Sequence, residues 1–190
     1  MRGSSAHISL RQHRNNAPNL LLPEFQRGIV WTAEQVMSLI DSAERGYPLG
    51  QLLVWEVYEG SIRRQYVLDG QQRLTALTGR KVGETQATWD VWFDMDAKGW
   101  VLGKPKRGFP LWPMDNPMDD LHVMEEAGIF TDPYGKQACQ RRDDLNYCTN
   151  FPAFVVEGGT TQDVLEMFLR INTGGTPLDP KLVQWLKEKK

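Results

Sequence analysis

The chain has 190 residues, enough for one domain with a real core, and its balance of apolar and charged residues suits a globular rather than a disordered chain. A formal net charge of −2 argues against broad electrostatic adhesion to DNA or anionic membrane, while leaving room for a local basic pocket. No apolar run approaches the roughly 18–20 residues that span a bilayer, and the opening MRGSSAHISL lacks the apolar centre of a secretory signal, so no membrane partner is expected.

Residues 1–19 show no definite pattern and are set apart from a single domain expected over 20–190. LLLPEFQRGIVW (20–31) reads as an ordered loop leading into a helix. Thr32 and Gln35 form a capping-box pattern, and Val36, Leu39, Ile40 and Ala43 follow at helical spacing. Gly46 and Pro48 stop that helix. LLVWEVY (52–58) is rich in β-formers, Glu59-Gly60-Ser61 marks a turn, and RQYVLD (64–69) continues as the second strand of a hairpin. Leu74, Ala76 and Leu77 begin a short helix that Gly79 can end.

ATWDVWFDMD (87–96) alternates Trp89, Val91, Phe93 and Met95 against Asp90, Asp94 and Asp96, the pattern of a half-buried strand. Ala97-Lys98-Gly99 turns the chain into a partner strand at 100–102. Residues 103–150 have weak periodicity; a short helix is expected near 118–127, and DPYGK (132–136) reads as a turn. FPAFVVE (151–157) is a strand candidate. In the helix expected over 162–170, Val164, Leu165, Phe168 and Leu169 share one face. INTGGTPL (171–178) breaks it, and Asp179-Pro180 starts a final helix. The elements together predict a mixed α+β fold.

The chemistry-bearing residues fall into three clusters. Asp69-Gly70-Gln71-Gln72-Arg73 sits where a strand meets a helix. A helix N-terminus offers unpaired N–H groups and positive potential, Gly70 permits close backbone approach, and Arg73 adds a forked cation suited to phosphate oxygens. Gln71 and Gln72 can donate to phosphate or read a base or sugar, and Asp69 can hold a divalent cation or accept a proton. Against this stands a plain tight turn with a solvated arginine. Arg170-Ile171-Asn172-Thr173-Gly174 places one cation beside two hydrogen-bonding groups, or else is only a helix stop in which Asn172 or Gly174 takes a left-handed conformation. Glu24-Phe25-Gln26-Arg27 repeats the Gln-Arg pairing, or is a surface loop with Phe25 packed inward. Three arginine-plus-amide clusters in one acidic domain point to a single polyanion pocket assembled from distant segments. Cys139 and Cys148 form no zinc or disulfide pattern and read as free thiols in a reducing cytoplasm, and His7, His13 and His122 show no metal spacing.

PEFQRGIVW, GYPLGQLLVWEV, YVLDGQQRLTAL and FLRINTGGTPL occur in that order. This set resembles the N-terminal, DGQQR-containing domain of the GmrSD-type modification-dependent restriction endonucleases, within the ParB/sulfiredoxin-like superfamily, over about residues 20–180. The resemblance implies a small mixed sheet with packed helices, and a pocket that binds, and often hydrolyses, a nucleoside triphosphate with Mg2+ in defence against phage DNA. By position, the implied catalytic residues are Asp69, Gln71, Gln72 and Arg73, with Asp69 also the metal ligand. The implied nucleotide and phosphate contacts are Gln26, Arg27, Gly70, Thr75, Arg170, Asn172, Thr173 and Gly174. Arg73 and Arg170 would neutralise phosphate charge, the main task in phosphoryl transfer. The family's frequent HNH-type nuclease domain has no counterpart here, so DNA cutting is not expected of this chain. The alternative is a non-hydrolysing nucleotide- or DNA-binding module that gates a partner nuclease.

Overall fold

The computed structural model describes residues 1–9, 20–23, 26, 28–79, 82, 88–112, 117–145 and 150–172. Helix α1 (Ala33–Glu44) begins where the capping box places it. Thr32 Oγ accepts from the Gln35 N–H at 3.4 Å, and Gln35 Oε1 accepts from the Thr32 N–H at 2.9 Å. Val36 and Ile40, one turn apart, are fully buried.

Strands β3 (Leu52–Glu59) and β4 (Ile62–Asp69) form the hairpin, turning at Gly60 with φ +65°. Their register slips by one residue between Leu53 and Val54, the signature of a bulge beside the end of β4. β2 (Leu20–Leu21) lies parallel on the outer side of β4, while β8 (Asn150–Glu157) lies parallel on β3 and β1 (Arg2–Ser9) antiparallel on β8. The five-stranded order is β1-β8-β3-β4-β2.

Strand alternation divides the apolar residues between two faces. Leu52, Val54 and Val67 join Val36 and Ile40 of α1 and Leu74, Ala76 and Leu77 of α2 (Gln71–Thr78) in the larger cluster. Leu53, Trp55, Leu68 and Val156 point the other way and meet Val164, Leu165 and Phe168 of α5 (Thr161–Asn172). Helices α2 and α5 therefore cover opposite faces of one sheet.

A second sheet, in the order β6-β5-β7, is built from β5 (Val91–Asp94), β6 (Gly99–Leu102) and β7 (Gly108–Pro110). The half-buried alternation expected over 87–96 is only partly realised. Trp92 is buried along with Val91 and Phe93, because its indole N–H finds Asp90 and Lys104 covers its ring at 5.3 Å. Helices α3 (Pro117–Glu126) and α4 (Pro133–Asp143) pack on this sheet through Phe109, Met124, Ile129 and Ala138. The turn read at DPYGK is instead the start of α4. Asp132 is its N-cap and accepts from the Tyr134 and Gly135 N–H groups, with Pro133 in the first turn. Arg142 of α4 is buried over the Phe109 ring and grips Asp120 of α3 through both carboxylate oxygens at 3.1 Å. The final helix expected from Asp179 onward, and Cys148, lie outside the described residues; Cys139 is a free thiol.

Candidate functional site

β4 passes into α2 through one residue, Gly70, at φ +96° and ψ 6°. A side chain there is strained by conformation and blocked by contact. An added Cβ falls on the Leu52 side chain and presses Arg73 Nη2 at 3.2 Å. Gly70 also supplies no side-chain cap, and the first turn of α2 carries no acidic residue. The first turn of the helix thus carries no anion of its own, and the nearest carboxylate is Asp69, just before the cap.

Arg73 does not extend into solvent. Its side chain is 18% exposed. Nη1 donates to the Leu49 carbonyl at 3.0 Å, and Nη2 donates to the Gln51 carbonyl at 2.9 Å and to Asp69 Oδ2 at 3.1 Å. The guanidinium occupies the space that a Cβ on Gly50 would need, and Gly50 itself sits at φ +79°. Of the five donors of a guanidinium, two hold the 49–51 loop against the corner and a third is bound to Asp69. Asp69, by contrast, is 53% exposed.

The two glutamines differ. Gln72 uses both ends of its carboxamide on one segment. Oε1 accepts from the Val30 and Trp31 N–H groups at 3.1 and 3.3 Å, and Nε2 donates to the Gly28 carbonyl at 2.9 Å. Gln71 is buried. From the other direction, Gln26 Nε2 donates to the Val67 and Leu68 carbonyls at the end of β4. Gln26 and Gly28, on either side of position 27, are therefore both tied to the corner; Arg27 lies outside the described residues.

Thr75, one turn below Gln71, is fully buried, and its Oγ has no hydrogen-bond partner among the described residues. Thr78 shows the usual solution, donating back to the Leu74 carbonyl at 2.7 Å.

The third cluster sits elsewhere. Arg170 is 78% exposed on α5 and pairs with Glu166 one turn earlier. It lines an open groove of about 480 Å³ with Met1, Asp163, Glu166, Met167 and Ile171. The helix that carries Arg170, α5, packs on the sheet face opposite α2. The structure thus joins the Gln26 segment to Asp69–Arg73, while Arg170 is carried on the helix of the other sheet face. The Asn172 side chain, Thr173 and Gly174 lie outside the described residues. Sequence reasoning missed the 49–51 loop, whose signal was Gly50 close after Pro48.

Among the described residues no group of three or more His, Cys, Asp or Glu side chains is placed to hold a metal. Nor is any described helix long and apolar enough to cross a membrane. A family model, described as GmrSD restriction endonuclease, N-terminal domain, matches residues 8–181. No curated protein matches the chain.

Proposed function

The chain belongs to the GmrSD restriction endonuclease N-terminal domain family, and on that premise we propose that it binds and hydrolyses a nucleoside triphosphate at the β4–α2 corner, serving modification-dependent DNA restriction. What supports this most is the convergence at one uncapped helix start. Gly70 adds no side-chain cap to that start, and the segment carrying the other Gln-Arg pair is tied there by Gln26 and Gln72. In this reading the fold is kin to the ParB/sulfiredoxin-like proteins.

Asp69 is a single, half-exposed carboxylate, which fits Mg2+ arriving on the phosphates rather than a resident ion in a protein cage. When bound, the ion supplies charge neutralisation on the phosphate oxygens. The chain's own part is to hold the ion through Asp69, to present the positive end of α2, and to bring Arg73 and Arg27 to the phosphates.

A second reading, binding without turnover so as to gate a partner nuclease or DNA engagement, is favoured by one observation. Gln72 is committed at both ends to residues 28–31, and Gln71 is buried, so the two amides expected among the catalytic residues have structural surroundings. A thermal-shift screen of ATP, GTP, CTP and UTP with magnesium, followed by phosphate release on the hits, separates the readings. Hydrolysis lost in Asp69→Ala supports the enzyme; stabilisation without phosphate release supports the gate; no shift with any nucleotide overturns both.

A further inference from the structure

Arg73 has two competing demands on it. Neutralising phosphate at the start of α2 draws on its guanidinium, yet three of its five N–H donors are bound to the carbonyls of Leu49 and Gln51 and to Asp69. Two of those three acceptors are neutral. A phosphate oxygen is a charged acceptor, and its bond to the guanidinium adds a charge–charge attraction that a neutral carbonyl lacks. An anion at the corner therefore competes on favourable terms for the same donors.

The loop that would be released is built to depend on them. Residues 47–51 adopt no helix or strand, and Gly50 is exposed at φ +79°. The space over Gly50 is filled by the Arg73 guanidinium. On one side of the loop lies the end of α1, to which the Tyr47 N–H is bonded through the Ser42 carbonyl. On the other side β3 begins at Leu52, the residue that packs under Gly70.

We propose that Arg73 is a ligand-operated latch: a nucleoside triphosphate at the β4–α2 corner draws the guanidinium off the Leu49 and Gln51 carbonyls and frees the 47–51 loop, so that occupancy of the site is reported at the junction of α1 and β3. This rests on nucleotide binding at that corner. It adds a second consequence, that the closed latch holds affinity down, because the apparent Kd is the intrinsic one divided by the fraction of molecules with Arg73 released.

Hydrogen–deuterium exchange on the full chain, with and without each of the four ribonucleoside triphosphates in magnesium, reads the loop directly. Exchange across residues 47–52 is expected to rise several-fold with the nucleotide that binds. Binding with unchanged exchange at 47–52 overturns the latch and leaves nucleotide recognition standing; no binding by the wild-type chain overturns both. Gly50→Ala provides the opposite test, since its Cβ takes the place of Nη1 without removing the charge. The folded Gly50→Ala protein should bind the nucleotide several-fold more tightly than wild type, and equal or weaker binding overturns the proposal. Should Gly50→Ala fail to fold, wild-type exchange alone decides.

Discussion

Replacing Gln72 with alanine discriminates between two roles for the second amide of the DGQQR sequence. In the structure Gln72 is a staple. Its carboxamide makes three hydrogen bonds, at 2.9, 3.1 and 3.3 Å, to the backbone of residues 28–31. At about 1 kcal/mol net for each well-formed bond, with the longest discounted and the site partly exposed, the loss comes to about 2 kcal/mol. For a chain of this length that corresponds to a fall in Tm of about 4–8 °C. Thermal unfolding followed by circular dichroism measures it. Gln26→Ala removes the other tie on the same segment, and a double-mutant cycle should show the two losses to be non-additive, because a strap already released has less to lose. If Gln72→Ala melts with the wild-type protein but loses phosphate release, the assignment reverses, and Gln72 acts on the reacting groups instead.

Gly70→Ala should cost about 2–5 kcal/mol, combining left-handed backbone strain with a Cβ driven against Leu52, and urea unfolding reads the shift in midpoint. Thr75→Val should raise stability by about 1 kcal/mol, since it removes a buried hydroxyl that has no partner among the described residues; a fall in Tm would show that the hydroxyl is satisfied in solution. Glu56 supplies a pH signature. Burial pushes its carboxyl up, but hydrogen bonds from Arg63 and Gln65 and the Arg63 charge together hold it below the ordinary glutamate range. Its contribution is therefore complete above the unfolded-state value of about 4.3 and is lost as pH falls from there through the lower folded value. The stability gap between wild type and Glu56→Gln should close over that acid window, and a gap independent of pH there would refute the pairing.

What the sequence discloses depends on how far a residue reaches. Thr32 and Gln35 are three positions apart, so α1 is legible to its first residue. The β4–α2 corner is legible for the same reason, because Gly70 lies between an apolar run and a helical one. The tasks of Arg73 and Gln72 are not, since their partners Leu49, Gln51, Gly28, Val30 and Trp31 lie 22 to 44 positions away. Asp132-Pro133 was open to either reading, because an acid before a proline starts turns and helices alike. Residues 103–150 defeat periodicity because Phe109, Met124, Ile129 and Ala138 each come from a different stretch and converge only in three dimensions. The sheet between α2 and α5 hides in the same way, and with it the fact that Arg73 and Arg170 are carried on helices of opposite faces.

The placing of β8 between β1 and β3 sets the schedule on which the chain can be made. β3 is synthesised roughly a hundred residues before its parallel neighbour, and β1 earlier still, so neither has that neighbour until the eighth strand emerges. Until then the Leu-Val-Trp edge of the β3–β4 hairpin stands open to any other extended chain nearby. Assembly of the large sheet is consequently a late, long-range event, slow by the measure of contact order. A truncation that removes β8 would leave a nascent product prone to aggregation instead of a smaller working domain.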